Sequence, residues 1–190
     1  MEKIIFVTHN KGKVATAKEK LKEVNFMIYD YELSEPRSDD ISLISKVKVM
    51  EAYDVVKCPC ISQDSGFFID SLDGFPKAFV NFALDTIGIE GILKLMKGKK
   101  NRKCRFTECL SYYDGKELKQ FYGSHEGHLA TSIRGEDRDK KWSSLWYIFM
   151  PYCYKKTLAE MNDKERLERK RYKSISSFDE FSKWFKENKL

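Results

Sequence analysis

The chain has 190 residues and a formal charge of +6, from 35 Lys and Arg against 29 Asp and Glu. That length suits one domain with a real core, since a chain of about 150 residues hides roughly two thirds of its unfolded surface. A composition of 42% hydrophobic and 14% aromatic residues excludes a wholly disordered chain. No apolar run approaches the ~20 residues of a membrane span, and the opening MEKIIFVTHN does not read as a signal peptide, so a soluble, cytoplasmic protein is expected.

In chain order, residues 3–7 (KIIFV) predict a buried strand. A polar turn, Thr8 to Lys13, follows, and then Val14, Ala17, Leu21 and Val24 at helical spacing. Residues 26–31 resume a β-type composition, so the chain opens as strand, helix, strand and predicts an α/β fold with a partly parallel sheet. In the polar stretch 33–40, Pro36 keeps Glu35 out of a regular helix. Residues 41–56 predict a helix with Leu43, Val47, Met50 and Asp54 in one row, ended by Pro59. Residues 60–62 and 67–69 read as β-like runs around Gln63-Asp64-Ser65-Gly66, which suggests an exposed strand end that turns sharply.

After a turn at 74–76, residues 78–84 and 90–96 predict two helices separated around Gly88. Residues 104–113 and 118–122 flank Asp114-Gly115 and predict a hairpin, with a third antiparallel strand over 123–133. A β-rich lobe at about 101–133 is thus expected within a single domain spanning 1–190. Residues 134–141 form a charged loop, and residues 145–150 are β-like up to Pro151. Residues 157–173 and 177–189 predict helices; the second opens on a capping box, Ser177 to Glu180, and carries Phe178, Phe181 and Phe185 in one row.

The basic excess is local. Residues 97–105 hold six basic residues and no acid, and residues 164–173 hold six basic and two acidic, so these two runs carry +10 and the remainder −4. Five cysteines and three histidines show no metal-ligand spacing, so reduced, mostly buried thiols are expected. The turn between the first strand and helix offers backbone N–H groups and the positive end of a helix dipole, with Thr8, Asn10 and Lys13 beside them, which suits phosphate. Asp64 can hold a metal or orient a water, and Glu35 is a candidate second carboxylate. Lys46 and Lys48 cannot share a helix face, so at most one of them points toward the sheet ends. His9, His125 and His128 read as structural or solvent-facing.

The segments FVTHNKGK (6–13), QDSGFF (63–68) with GFP (74–76), TIG (86–88) through GILKL (91–95), and KTLAEM (156–161) occur in one order. That order resembles the inosine triphosphate pyrophosphatase family over nearly the whole chain. The resemblance implies an elongated α/β fold with a central mixed sheet flanked by helices, two lobes with a nucleotide cleft between them, and a homodimer. It implies Mg²⁺-dependent hydrolysis of a non-canonical purine nucleoside triphosphate to the monophosphate and pyrophosphate. Position by position, Thr8, Asn10, Lys13 and Lys48 would hold phosphates, Glu35 and Asp64 the metal, and Asp64 would act on the attacking water, with Lys13 beside it in catalysis. Ser65 and Gly66 join the substrate-binding set, and Trp146, Arg166, Lys170, Arg171 and Tyr172 would lie at the base.

The chain departs from the family pattern at Gln63, where a second acid is usual, and at Lys77, where a Gly follows the Gly-x-Pro turn. Ser143 stands for the aromatic that stacks on the base, Trp146 for an acid, and Lys170-Arg171-Tyr172 for a Ser-His-Arg triplet. The phosphate end is kept and the base end rewritten, which predicts an altered base preference. A nucleotide-binding protein that has lost catalysis is the alternative. Nucleic-acid binding rests only on the two basic runs and is not the expected partnership.

Overall fold

The computed structural model describes residues 3–136 and 143–189. Strands are β1 (Ile4–Val7), β2 (Phe26–Tyr29), β3 (Cys60–Ile69), β4 (Pro76–Lys77), β5 (Lys103–Tyr113), β6 (Leu118–Leu129), β7 (Phe149–Pro151) and β8 (Ser174–Ile175). Helices are α1 (Lys11–Lys20), α2 (Ile41–Val56), α3 (Val80–Thr86), α4 (Gly88–Leu95), α5 (Asp163–Glu168) and α6 (Ser177–Lys189). The strands form one mixed sheet of order β2-β1-β3-β5-β6-β7, with β4 on β3 and β8 on β6. β1 pairs in parallel with both β2 and β3, while β4 and β7 pair antiparallel with β3 and β6. No helix of the described residues is long and apolar enough to cross a membrane.

The chain divides into two compact units. Unit 1 comprises 1–65, 108–123 and 175–190. The alternation of a strand explains its packing. Ile4 and Phe6 of β1 face a core with Ala17 of α1, Leu21 at its C-cap, and Phe178, Phe181 and Phe185 of α6. Val7 faces the other way, with Val49 and Ala52 of α2, and Ile5 packs against that second cluster. Thus α1 and α6 cover one face and α2 the other. The expected row on α6 is fully buried, and Phe178 meets Phe6 edge to face at 5.6 Å. Unit 2 comprises 66–107 and 124–174, and its core gathers Phe67 and Ile69 of β3, Ile92 of α4, Phe149 of β7, Leu145, Trp146 and Leu158.

Several expectations are corrected. On α2 the row Leu43, Val47 and Met50 is exposed; Ile41, Ile44, Ser45, Lys48, Val49 and Ala52 are buried instead. The helix is apolar on more than one side, so spacing alone did not choose the buried one. β3 is continuous, so Gln63 to Gly66 is mid-strand and not a sharp turn at a strand end. Gly66 permits this: a Cβ there would stand 2.7 Å from the carbonyl oxygen of Lys77 on β4.

β6 runs unbroken through Leu129, so residues 123–133 add no separate third strand, and the β5–β6 hairpin belongs to the main sheet. Residues 144–147 form a 3₁₀ turn before β7, where a strand was expected. The helix expected over 157–173 is confined to α5 and a 3₁₀ turn, because Asn162 caps it in a capping box with Glu165. At α6 the Ser177 hydroxyl is engaged by Gln63 and Glu108 rather than in a capping box. The charged loop expected at 134–141 lies in part outside the described residues.

Candidate active site

β1 is the strand where the order reverses, with β2 on one side and β3 on the other, and ligands of open α/β sheets bind beyond the carboxyl ends of strands at such a point. The β1–β3 pairing runs through Ile5↔Cys60 and Phe6↔Ile61, so Gln63 and Asp64 extend past the end of β1. Over that end the chain turns through Thr8, His9 and Asn10 into α1. The Asn10 backbone N–H donates to Thr8 Oγ1 at 3.2 Å, and Asn10 Oδ1 accepts the Lys13 N–H at 3.0 Å, so both side chains shape the turn. The N–H groups of Lys11 and Gly12, in the first turn, have no acceptor within the helix, as at any helix start.

Because β1 is short, lysines from both faces of the sheet reach one carboxylate. Lys13 comes from α1, donates to the carbonyl oxygen of Gln63 at 2.6 Å and stands 3.8 Å from Asp64 Oδ1. Lys48 comes from α2 and stands 3.6 Å from the same oxygen, while donating to Glu35 Oε1 at 2.6 Å. Asp64 is 7% exposed. Lys46 is exposed, so Lys48 is the member of that pair that turns inward. Behind Lys48, a buried polar cluster seats α2: Ser45 Oγ lies 2.8 Å from Ser111 Oγ, and Gln120 donates to the Ser42 carbonyl at 2.9 Å.

The two carboxylates are pushed in opposite directions. Burial raises the Asp64 carboxyl above its ordinary range, against the pull of Lys13 and Lys48. Glu35 also resists ionisation through partial burial, but the Lys48 hydrogen bond and the charges of Lys48 and Lys13 outweigh it and hold Glu35 below the usual range. Burial likewise lowers Lys13, partly countered by Asp64. Two neighbouring acids driven apart in this way divide labour: one stays charged, and the other is readier to take a proton.

Both carboxylates lie within 3.6 Å of the Lys48 ammonium, so their oxygens converge on a cationic point. Among the described residues no cluster of three or more His, Cys, Asp or Glu could hold a metal ion. Two hard oxygen donors fit Mg²⁺, which is commonly held by one or two carboxylates plus substrate phosphates and waters.

Thr8, Asn10, Lys13, Glu35, Lys48 and Asp64 are therefore gathered in unit 1, with Ser65 exposed beside them. Gly66 is explained by the close approach of β4. Trp146, Arg166, Lys170, Arg171 and Tyr172 belong to unit 2. There Trp146 is a core side chain, 6% exposed, with the Arg166 guanidinium 5.5 Å from its ring centre. Arg166 also donates to Asp163 and to the Leu158 carbonyl, and Tyr172 is half exposed. Lys77, where the family has Gly, adopts a left-handed φ of 56°, the conformation a Gly takes without strain. Sequence reasoning missed Glu108 and read Ser177 only as a helix start; Ser177 accepts from Gln63 and donates to Glu108, contacts that three separate elements supply and no local pattern marks.

The Ham1 family model matches residues 4–181. The dITP/XTP pyrophosphatase of Thermococcus kodakarensis is 34% identical over 192 residues, covering 98% of each chain. That of Saccharolobus solfataricus is 36% identical over 170 residues, covering 86% of this chain and 84% of the relative. The Ham1 protein of Staphylococcus aureus superposes with a TM-score of 0.79 at 20% identity, covering 99% of this chain and all of that one. A HAM1 protein from Coxiella burnetii gives 0.79 at 19% identity, covering 98% and 100%. The strand order, the site over the end of β1 and these matches along nearly the full length agree, and the chain belongs to the Ham1 family.

Proposed function

We propose that the protein hydrolyses non-canonical purine nucleoside triphosphates, the dITP and XTP of its relatives' names, to the monophosphate and pyrophosphate. The observation that carries the reading is the buried Asp64 carboxylate flanked by Lys13 and Lys48 at a helix N-terminus. The α1 N-terminus, Lys13 and Lys48 bind the polyphosphate and spread its charge, with Thr8 and Asn10 holding the turn. Asp64, readier than an ordinary carboxylate to accept a proton, takes it from the attacking water. Glu35 and Asp64 would hold Mg²⁺, which neutralises phosphate oxygens when bound.

The reading includes an altered base preference. Trp146 and Arg166 are engaged with each other in unit 2, so the polar groups that would select one purine are exchanged for a packed pair, and hydrogen-bond selection is lost where its partners are. It also includes a homodimer and a cytoplasmic location, both implied by the family; the exposed row Leu43, Val47 and Met50 supports association.

Pyrophosphate release is measured with Mg²⁺ and ITP, XTP, dITP and the standard nucleotides. Turnover of at least one non-canonical triphosphate is expected. Folded protein that releases none refutes the reading, and nucleotide binding without turnover points to a binding protein of the same fold. Sedimentation shows whether the solution species is a dimer.

A further inference from the structure

We propose that Gln63 is a positioning residue of this reaction, anchored through Ser177 to the Glu108 carboxylate so that its backbone holds Lys13 and Asp64 in register. The proposal rests on the pyrophosphatase reading above. Consecutive residues of a strand point to opposite faces. Gln63 faces the side covered by α1 and α6, where its Nε2 donates to Ser177 Oγ at 2.9 Å, and Asp64 the side of α2 and Lys48, with Lys13 reaching its carboxylate from the α1 side past the end of β1. Ser177 Oγ donates in turn to Glu108 Oε2 at 3.0 Å, and the Ser177 backbone N–H donates to the same oxygen at 3.2 Å. Gln63 is 6% exposed and Ser177 fully buried.

The direction of this chain is forced. A serine hydroxyl carries one proton, and the Glu108 carboxylate, set at the first turn of the 13-residue α6, accepts it. The hydroxyl oxygen is then an acceptor, which the Gln63 amide N–H satisfies and an ionised carboxylate at position 63 could not. A carboxylate at 63 would put two acids on one proton. Gln63 and Glu108 are thus a matched pair, amide opposite acid.

The anchor sits on the stretch of β3 that runs beyond its β1 partners. Gln63 extends past the last β1 partner, Ile61, so the α6 contact fixes a stretch that the β1 ladder no longer holds. The Gln63 carbonyl accepts the Lys13 ammonium at 2.6 Å, and that ammonium lies 3.8 Å from Asp64 of the next residue. Releasing the side chain lets that peptide tilt and moves the proton acceptor relative to the phosphate-binding lysine, and a shift of about 1 Å is sufficient to cost on the order of 10²-fold in rate.

The test uses the full chain with Gln63→Met, Gln63→Glu and the exchange Gln63→Glu/Glu108→Gln. Both single variants are expected to lose about 10- to 100-fold in kcat with KM within about threefold, and the exchange to recover kcat to within about threefold of wild type. Urea denaturation of the same set is expected to show the exchange more stable than Gln63→Glu alone, a readout independent of turnover. Active wild type with an unchanged kcat in Gln63→Met, or an exchange no better than Gln63→Glu in both assays, overturns the proposal. Wild type that releases no pyrophosphate overturns the pyrophosphatase reading first and the positioning role with it.

Discussion

Replacing Asp64 by Asn isolates the proton-accepting role from shape. Asn has the same outline and keeps one carbonyl oxygen that can accept a hydrogen bond or face Mg²⁺, but it cannot take a proton from water. The four nearest charged groups, Lys13, Lys48, Glu35 and Asp64, sum to zero, and the substitution leaves +1 facing the triphosphate. A unit charge at about 4 Å interacts by roughly 4 kcal/mol at an effective dielectric near 20 and by about 1 kcal/mol in water. Binding of the anionic substrate is therefore expected to hold or tighten, and the loss belongs in kcat. General-base catalysis contributes about 10²–10⁴-fold, which is roughly 3–5 kcal/mol of barrier. Steady-state pyrophosphate release gives kcat and KM, and calorimetry with the same nucleotide gives affinity. A variant within about threefold of wild type in kcat, or one whose whole deficit lies in KM, refutes Asp64 as the base.

Gly66→Ala is expected to cost about 1–3 kcal/mol in urea denaturation, since its Cβ would meet the Lys77 carbonyl oxygen at 2.7 Å and the Phe68 ring at 2.9 Å. No loss of stability would show that β4 can shift away. Phe181→Ala removes a fully buried ring packed on Tyr112, Phe121 and Phe185 and should cost about 3–5 kcal/mol; a cost below about 1 kcal/mol would deny this cluster its place in the core. Asp114 is held down to about 2: burial opposes ionisation, but the backbone N–H groups of Glu117 and Lys116 and the Lys189 ammonium overcome it. A depressed folded value means stabilisation that is present above about pH 4 and lost as pH falls toward 2, worth about 2 kcal/mol. Asp114→Ala should remove that pH dependence, and an acid-unfolding profile identical to wild type would contradict it.

Much of the site was legible before the fold. The turn after a β-rich pentad, with Thr8, Asn10 and Lys13, announces a helix N-terminus by residue type alone, and α1 starts at Lys11 with Asn10 as its cap. Helical geometry allowed at most one of Lys46 and Lys48 to turn toward the sheet ends, the family resemblance pointed to Lys48, and Lys48 is the buried one. What was not legible concerns contacts between distant segments. Leu43, Val47 and Met50 have the spacing of a buried face, yet they are exposed. Ser45 and Lys48 are buried in their place because Ser111, Ser62, Glu35 and Asp64, all remote in sequence, satisfy their polar groups. Trp146 looked like a ligand contact from its place in the motif, and the packing of unit 2 made it core.

The sequence by itself determined the opening strand–helix–strand, the polar turn at the start of α1 and the aromatic row of α6, because these depend on spacing within a few residues and on the intrinsic preferences of Asn, Gly and β-branched side chains. Only the tertiary structure decided that β1 stops short of Asp64, so that lysines from opposite faces converge on one buried carboxylate. It also decided that Gln63 answers to Glu108 through Ser177. The physical reason is the same in both cases. Desolvation and hydrogen-bond direction are set by what surrounds a group in space, and those surroundings come from segments that no local pattern joins.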